Sequence, residues 1–210
     1  MDETARRLGQ LVERLADRLC HDISSSSQAI ASGLDLLREA AGPVERDEAI
    51  AFLGEALASQ RAKVGYARRA FGPATQAADA TELKDLALGL YVDIRPTLDW
   101  TLTASSLGPT AARTLLVLLH IAADALAVGG VARVSMEADG GLTVLATGPR
   151  VAVKDEVRAG LAGEAFDSGL AGRWVQGSFV AMLAAQAGGE VKVDAREGVV
   201  RFSVSLPAGA

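Results

Sequence analysis

The segment Leu19-Cys20-His21-Asp22 contains residue types that could do nucleophilic chemistry, and His21 is one of two histidines in the chain. Apolar residues recur around it at helical spacing. At roughly 100° per residue, His21 lies about 200° from Leu19 and Ile23, opposite the apolar stripe. An exposed imidazole beside a carboxylate has one nitrogen free to meet an electrophile, while the carboxylate orients the ring or holds its proton. A histidine that is merely solvated is the alternative that spacing alone leaves open.

The polar ridge around His21 is the surface where a partner would make contact. Residues three or four positions apart are neighbours on a helix, and one further turn extends the same ridge. No large apolar side chain interrupts it. The residues that we predict to bind a partner are Arg14, Asp17, Arg18, Ser24, Ser25 and Gln28.

Two other candidates for chemistry, Cys20 and His120, favour structural roles. Adjacent residues on a helix do not face one another, so Cys20 cannot use His21 as its base, and we expect it to pack near a helical seam. His120 follows the apolar run Leu115–Leu119, which predicts a hydrogen-bonded, largely buried imidazole. Two histidines and one cysteine, none at ligand spacing, provide no zinc site.

Two long amphipathic helices are predicted for a first domain, residues 1–73. From Ala5 to Ala41 apolar residues recur at three- and four-residue steps, and the pattern resumes after Gly42-Pro43 until Gly72-Pro73. The two helices would form an antiparallel hairpin. One hairpin cannot enclose its own apolar stripe, so we expect a homodimer in which two hairpins form a four-helix bundle. Packing of the stripe on the rest of the chain is the alternative.

The second domain, residues 74–210, changes period and is predicted to be an α/β sandwich. A linker over Pro73–Thr81 precedes alternating helical and β-branched segments. The predicted helices are Leu83–Ile94, Thr110–Leu126, Val153–Leu161 and Trp174–Ala187, and the predicted strands are Trp100–Thr103, Val131–Glu137, Leu142–Thr147, Val191–Ala195 and Val199–Leu206. The chain is therefore α+β, with one mixed or antiparallel sheet that has helices on one face.

Charge and composition exclude several partners. With 21 basic and 26 acidic residues the formal net charge is −5, which lacks the basic excess of a nucleic-acid-binding protein, so no direct nucleic acid is expected. The longest apolar runs stop far short of the ~20 residues that cross a membrane. A single cysteine, with no signal-like N-terminal segment, makes the cytoplasm the expected location.

The arrangement of these motifs resembles bacterial sensor histidine kinases, in which a helical dimerisation and phosphotransfer domain is joined to an ATP-binding-like domain. Within that group the chain is similar to the ChpT-type histidine phosphotransferases over nearly its whole length. The motifs that carry this resemblance are Leu19-Cys20-His21-Asp22, Ser32-Gly33-Leu34-Asp35-Leu36-Leu37, Arg95-Pro96-Thr97-Leu98-Asp99-Trp100, Gly129-Gly130-Val131-Ala132 and Trp174-Val175-Gln176. The chain departs from that pattern at Ile23 and Ser26, where the family commonly has Phe and Pro.

The same resemblance implies that ATP binding is lost and that this chain binds no cofactor. Asp124 stands where a kinase has the Asn that helps to hold Mg²⁺, although a carboxylate could still bind metal. Ala146 of Ala146-Thr147-Gly148 replaces the Asp that accepts a hydrogen bond from adenine, which a methyl group cannot do. The glycine-rich lid is reduced to Gly169-Leu170-Ala171-Gly172.

The function that the resemblance implies is a histidine phosphotransferase in a two-component phosphorelay. His21 would take a phosphoryl group from the phospho-Asp of a receiver domain in a hybrid histidine kinase and pass it to the Asp of a response regulator. Asp22 would orient the ring or serve as acid or base, and Ser25 would bond the phosphoryl oxygens. Mg²⁺ would come from the receiver. Downstream regulators would include DNA-binding proteins of the cell cycle, so the effect on transcription would be indirect.

Two other functions are compatible with the sequence. The chain could be a fragment of an active ATP-dependent histidine kinase with an unusual site. It could also be a non-catalytic dimeric adaptor whose His21 face docks response regulators. ATP binding distinguishes the first from a phosphotransferase, and phosphoryl transfer to His21 distinguishes the second.

Overall fold

An N-terminal helical hairpin opens the structure, a computed structural model that describes residues 3–92, 94–164, 175–207 and 209. Helix α1 spans Glu3–Glu39 and α2 spans Pro43–Phe71, as the sequence predicts. The turn between them is tight because the Glu45 carboxylate accepts hydrogen bonds from the backbone N–H groups of Ala41 and Gly42, at 2.7 and 2.9 Å. Proline at the first position of α2 needs no hydrogen-bond partner for its nitrogen.

The rest of the chain builds a sheet with helices. The helices are α3 (Ala80–Tyr91), α4 (Pro109–Ala125), α5 (Asp155–Leu161) and α6 (Val175–Gln186). The strands are β1 (Ala78–Asp79), β2 (Thr97–Trp100), β3 (Ser106–Leu107), β4 (Val131–Met136), β5 (Leu142–Thr147), β6 (Glu190–Arg196) and β7 (Val199–Ser205). A five-stranded sheet has the order β2-β4-β5-β7-β6, and β1 pairs with β3 separately. The predicted Gly169–Gly172 lid lies outside the described residues.

The predicted α+β class is confirmed, including the mixed sheet: β2 and β4 are parallel, and the other neighbours in the five-stranded sheet are antiparallel. Two elements, β2 and α3, each lie three residues earlier in the chain than predicted. Strand β2 ends at Trp100. The N–H of the next residue, Thr101, donates a hydrogen bond to the Val134 carbonyl, and the chain then leaves the sheet. Helix α3 begins inside the predicted linker, because the Asp79 carboxylate caps the N–H groups of Thr81 and Glu82.

Helix α4 forms the centre of the core. Its run Leu115–Leu119 is fully buried between the sheet and the other helices, together with residues such as Val144 and Phe202 from the strands. Strand β7 alternates buried and exposed residues, so one face of the sheet packs inward and the other is solvated.

The hairpin shares this core with the α/β sandwich. Tyr66 of α2 donates its hydroxyl hydrogen bond to the Leu116 carbonyl, and Tyr91 of α3 donates to the Leu119 carbonyl at 2.8 Å. Burial raises the pKa of both phenols, so they remain donors at neutral pH. Contacts therefore tie α2 and α3 directly to α4.

The apolar stripe of the hairpin is divided between two environments. Leu11 and Leu15 of α1 pack with the core, which realises part of the alternative in which the stripe packs on the rest of the chain. Six other apolar side chains remain 42% to 59% exposed. They are Leu8, Val12 and Leu34 on α1, and Ile50, Leu57 and Val64 on α2. The three on α2 are spaced seven residues apart.

No helix among residues 3–92, 94–164 and 175–207 combines the length and apolar character that crossing a membrane requires.

Candidate functional site

His21 stands on the solvent side of α1, and its side chain is 69% exposed. Leu19 and Ile23, on the other side of the helix, are half-buried. The prediction that His21 faces water is therefore confirmed. The exposed ring is open to the approach of another molecule.

The Asp22 carboxylate is shared between His21 and Arg18. Its Oδ1 lies 3.5 Å from His21 Nδ1, and its Oδ2 accepts a 2.8 Å hydrogen bond from Arg18 Nε. This contact favours the tautomer in which Nδ1 carries the proton, because a carboxylate is an acceptor. The lone pair of His21 then lies on Nε2, the ring nitrogen that the carboxylate does not contact.

Helix α1 continues without a break through the serine run that follows His21. Ser25 donates to the Asp22 carbonyl at 3.0 Å, while Ser26 and Ser27 each donate to the Ile23 carbonyl at 3.1 Å. Serine hydroxyls bonded back to the preceding turn are compatible with helix. The chain therefore passes through Ser26, the position at which the sequence departs from the pattern it resembles, as regular helix.

The predicted partner-binding residues have different surroundings. Asp17, Ser24, Ser25 and Gln28 are exposed near His21, and Arg14 is half-buried. The expectation that Arg18 is exposed is wrong, since its side chain is 12% exposed. Side chains of helix α4 contact it, a long-range contact that helical spacing could not reveal.

Arg18 reaches across to the α/β sandwich. Its Nη2 lies 3.0 Å from Nε2 of His120 and 4.0 Å from Oδ2 of Asp124, both on α4. The guanidinium thus has carboxylates on two sides and an imidazole between them. The site therefore includes residues from both the hairpin and the sandwich.

His120 is fixed between two side chains, as a hydrogen-bonded histidine is predicted to be. Because arginine only donates, His120 Nε2 accepts from Arg18, and Nδ1 carries the proton. Gln176 Nε2 lies 3.1 Å from Nδ1, and turning the amide over, which exchanges its nitrogen and oxygen, places the oxygen there to accept this proton. Burial lowers the pKa of His120; Asp124 and Asp22 raise it and Arg18 lowers it.

The sequence analysis assigned no role to Gln176 and only a structural role to His120. Gln176 is 2% exposed in a helix whose other buried residues are almost all apolar. A long amide in such an interior needs a polar partner. A glutamine within this apolar helix is therefore the sequence signal that could have indicated the contact between Gln176 and His120.

Cys20 is exposed in the single chain, so the predicted packing of its thiol is not provided by this chain alone. Within the residues that the structure describes, no group of three or more His, Cys, Asp or Glu side chains is arranged to hold a metal ion.

A cavity of about 30 Å³ lies beside Asp124. Its lining includes Asp124, Val153, Lys154 and Gln176. Small-molecule sites measure roughly 300 Å³ or more. Ala146 is fully buried in β5.

Comparison with known proteins assigns the family. Residues 80–199 match the family model described as the histidine phosphotransferase C-terminal domain. The chain belongs to this family. It is 28% identical to protein phosphotransferase ChpT of Brucella abortus (strain 2308), over 90% of this chain and 92% of that protein. A solved structure of a bacterial phosphotransferase matches with a TM-score of 0.82 and 26% identity, covering 93% of this chain and 96% of the other.

A solved structure of the Acinetobacter baumannii histidine kinase AdeS also matches, with a TM-score of 0.47 and 11% identity over 89% of this chain and 96% of that chain. The family membership confirms the predicted resemblance and the assignment as a phosphotransferase of the phosphorelay type. It does not favour the kinase fragment or the non-catalytic adaptor.

The lowered pKa of His120 predicts a loss of stability in weak acid. Below the ordinary value of 6.5, the unfolded chain binds a proton that the folded chain excludes, so the free energy of unfolding falls as pH falls towards the folded pKa. His120→Gln keeps an acceptor for Arg18 and removes the titration. Urea unfolding at about pH 8 and about pH 5.5 should show a smaller loss for the variant than for the wild type. Equal losses would contradict the assignment.

Proposed function

We propose that His21 carries a phosphoryl group between receiver domains, from the phospho-Asp of a hybrid histidine kinase to the Asp of a response regulator. The observation that carries the proposal is the exposed imidazole whose Nδ1 faces the Asp22 carboxylate, which leaves the lone pair on Nε2. Membership in the histidine phosphotransferase family supports it. We place this exchange in the cytoplasm, where Cys20 would stay reduced.

In the proposed reaction the lone pair of His21 Nε2 attacks the phosphorus of the acyl phosphate. The N–P bond forms as the P–O bond to the receiver aspartate breaks, and the bonding electrons leave with that carboxylate. The proton stays on Nδ1, so the phosphorylated ring is a cation. Asp22 stabilises this charge because its carboxylate already faces Nδ1. The return transfer reverses the same steps.

Much of the remaining stabilisation would come from the receiver. Phosphoryl transfer has a loose transition state that needs in-line positioning and charge neutralisation, and the receiver's Mg²⁺ would supply the latter. Ser25 stands one turn beyond His21 and would bond the phosphoryl oxygens. The proposed docking surface is the ridge of Arg14, Asp17, Ser24, Ser25 and Gln28, without Arg18, whose side chain is largely removed from water. We propose that the regulators served include DNA-binding proteins of the cell cycle.

We also propose that two hairpins associate as a homodimeric four-helix bundle. The support is the exposed apolar stripe, in which Ile50, Leu57 and Val64 recur every seven residues on α2 and Leu34 is 44% exposed on α1. Seven-residue spacing suits a seam between helices that pack nearly antiparallel or parallel. A second copy would remove these side chains from water, which is favourable.

The dimer is tested by Leu34→Asp. A carboxylate without a partner in an apolar seam is costly, so the variant should be monomeric by light scattering at micromolar concentration, where the wild type should be dimeric. Leu36→Asp is the matched control, because Leu36 is also exposed but lies about 200° away around the helix. It should remain dimeric. A monomeric wild type would refute the dimer.

We propose further that the chain does not use ATP. Ala146 offers no acceptor for adenine, and the cavity of about 30 Å³ beside Asp124 supports the loss of the nucleotide site. Titration calorimetry with Mg·ATP should give no saturable heat at physiological concentration. Ala146→Asp alone should not restore kinase activity. Saturable binding by the wild type would return the kinase alternative.

The phosphoacceptor is tested by His21→Asn. Asparagine is polar and of similar reach but has no nucleophilic nitrogen, so transfer in both directions should be abolished while folding and docking are kept. A labelled phospho-receiver provides the phosphoryl group. Label on the wild type should be labile to acid and stable to alkali, as a phosphohistidine is. Cys20→Ala, which removes the neighbouring nucleophile, should transfer normally. Label retained by His21→Asn would indicate another acceptor.

A further inference from the structure

We propose that Arg18 is a positioning residue for phosphoryl transfer and that the α/β sandwich holds it in place through His120 and Gln176. The inference rests on the proposed function of His21. It gives the sandwich a direct part in the reaction on α1.

Arg18 contacts each side of the junction with a different nitrogen. Nε donates to Asp22 Oδ2 at 2.8 Å, on the same helix as the phosphoacceptor. Nη2 donates to His120 Nε2 at 3.0 Å, on α4. With a 12% exposed side chain, Arg18 is far less accessible than His21 at 69%. One planar cation therefore bridges the transfer site and the sandwich.

His120 is held so that it can only accept from Arg18. Gln176 of α6 lies 3.1 Å from its Nδ1, and the edge of the ring packs against Tyr66 with centroids 6.1 Å apart. Tyr66 itself donates to the Leu116 carbonyl. Contacts from α2, α4 and α6 thus fix the ring, and the ring fixes the guanidinium.

The consequence for catalysis is that Asp22 is fixed through one of its two oxygens. Oδ2 is bound to Arg18, which leaves Oδ1 directed at His21 Nδ1. Because the carboxylate is already held in place, it orients the imidazole with no further loss of its own rotational freedom during the reaction. Arg18 also lies 4.0 Å from Asp124, so it offsets two negative charges close to where a phosphoryl dianion must arrive.

The inference predicts that Arg18 acts through Asp22. Single-turnover transfer from a saturating phospho-receiver would be measured for Arg18→Ala, Asp22→Ala and the double variant. Asp22→Ala should slow transfer by ~10- to 100-fold, and Arg18→Ala should slow it by a similar or smaller factor. The double variant should be no slower than Asp22→Ala alone, because the two side chains work as a unit. The half-saturating receiver concentration should not change.

Conservative variants separate positioning from simple structural support. Arg18→Lys keeps the positive charge, but an ammonium group cannot donate to Asp22 and His120 in the fixed planar geometry of a guanidinium. It should therefore transfer faster than Arg18→Ala and more slowly than the wild type. His120→Leu removes the acceptor and should slow transfer. His120→Gln restores an acceptor oxygen and should return the rate towards that of the wild type. Circular dichroism would check that each variant is folded, and the Lys and Gln variants keep the test valid if a truncation unfolds the chain.

Two outcomes would overturn the inference. Arg18→Ala could slow the Asp22→Ala protein by the same factor as the wild type, which would mean that Arg18 does not act through Asp22. It could instead raise the half-saturating receiver concentration at an unchanged maximal rate, which would make Arg18 a docking residue. Failure of His21 as phosphoacceptor is seen separately: His21→Asn would then transfer normally, whatever the Arg18 variants do.

Discussion

The guanidinium of Arg18 joins the two parts of this molecule. A cation that is largely removed from water must be paired, and Arg18 finds its acceptors on α1 at Asp22 and on α4 at His120. The tautomer of His120 and the direction of the Asp22 carboxylate both follow from this pairing. The placement of α1 against α4 is therefore coupled to the geometry around His21.

This coupling explains how an exposed histidine can have a defined orientation. In the proposed reaction the phosphoryl group that His21 accepts is attached to another protein, so the surroundings of His21 cannot be enclosed. The orientation of its ring is set instead by the Asp22 carboxylate, which Arg18, a residue largely removed from water, holds in place. In the proposed reaction the partner would contribute its own metal and charge, and this chain would contribute a nucleophile and a positioned acceptor.

The hairpin uses its different faces for different purposes. One face carries Leu11 and Tyr66 into the core shared with the sandwich, where Leu115–Leu119 is fully buried. A second face leaves Leu34 and Leu57 in water, which suits a further copy of the hairpin. The polar face carries His21. These roles can coexist because α1 is long enough, at 37 residues, to separate them along its length and around its axis.

Local and periodic features of the fold were determined by the sequence itself: the two long helices, the turn at Gly42-Pro43, the antiparallel strand pairs and the exposure of His21 all depend on residues close in the chain. The start of α3 at the Asp79 cap and the burial of Arg18 were not predicted. Arg18 and His120 are 102 positions apart, and helical spacing reports only which side of its own helix a residue occupies. Only tertiary packing brought the side chains of His120 and Asp124 on α4 into contact with Arg18. Such contacts join segments whose relative position no local pattern specifies.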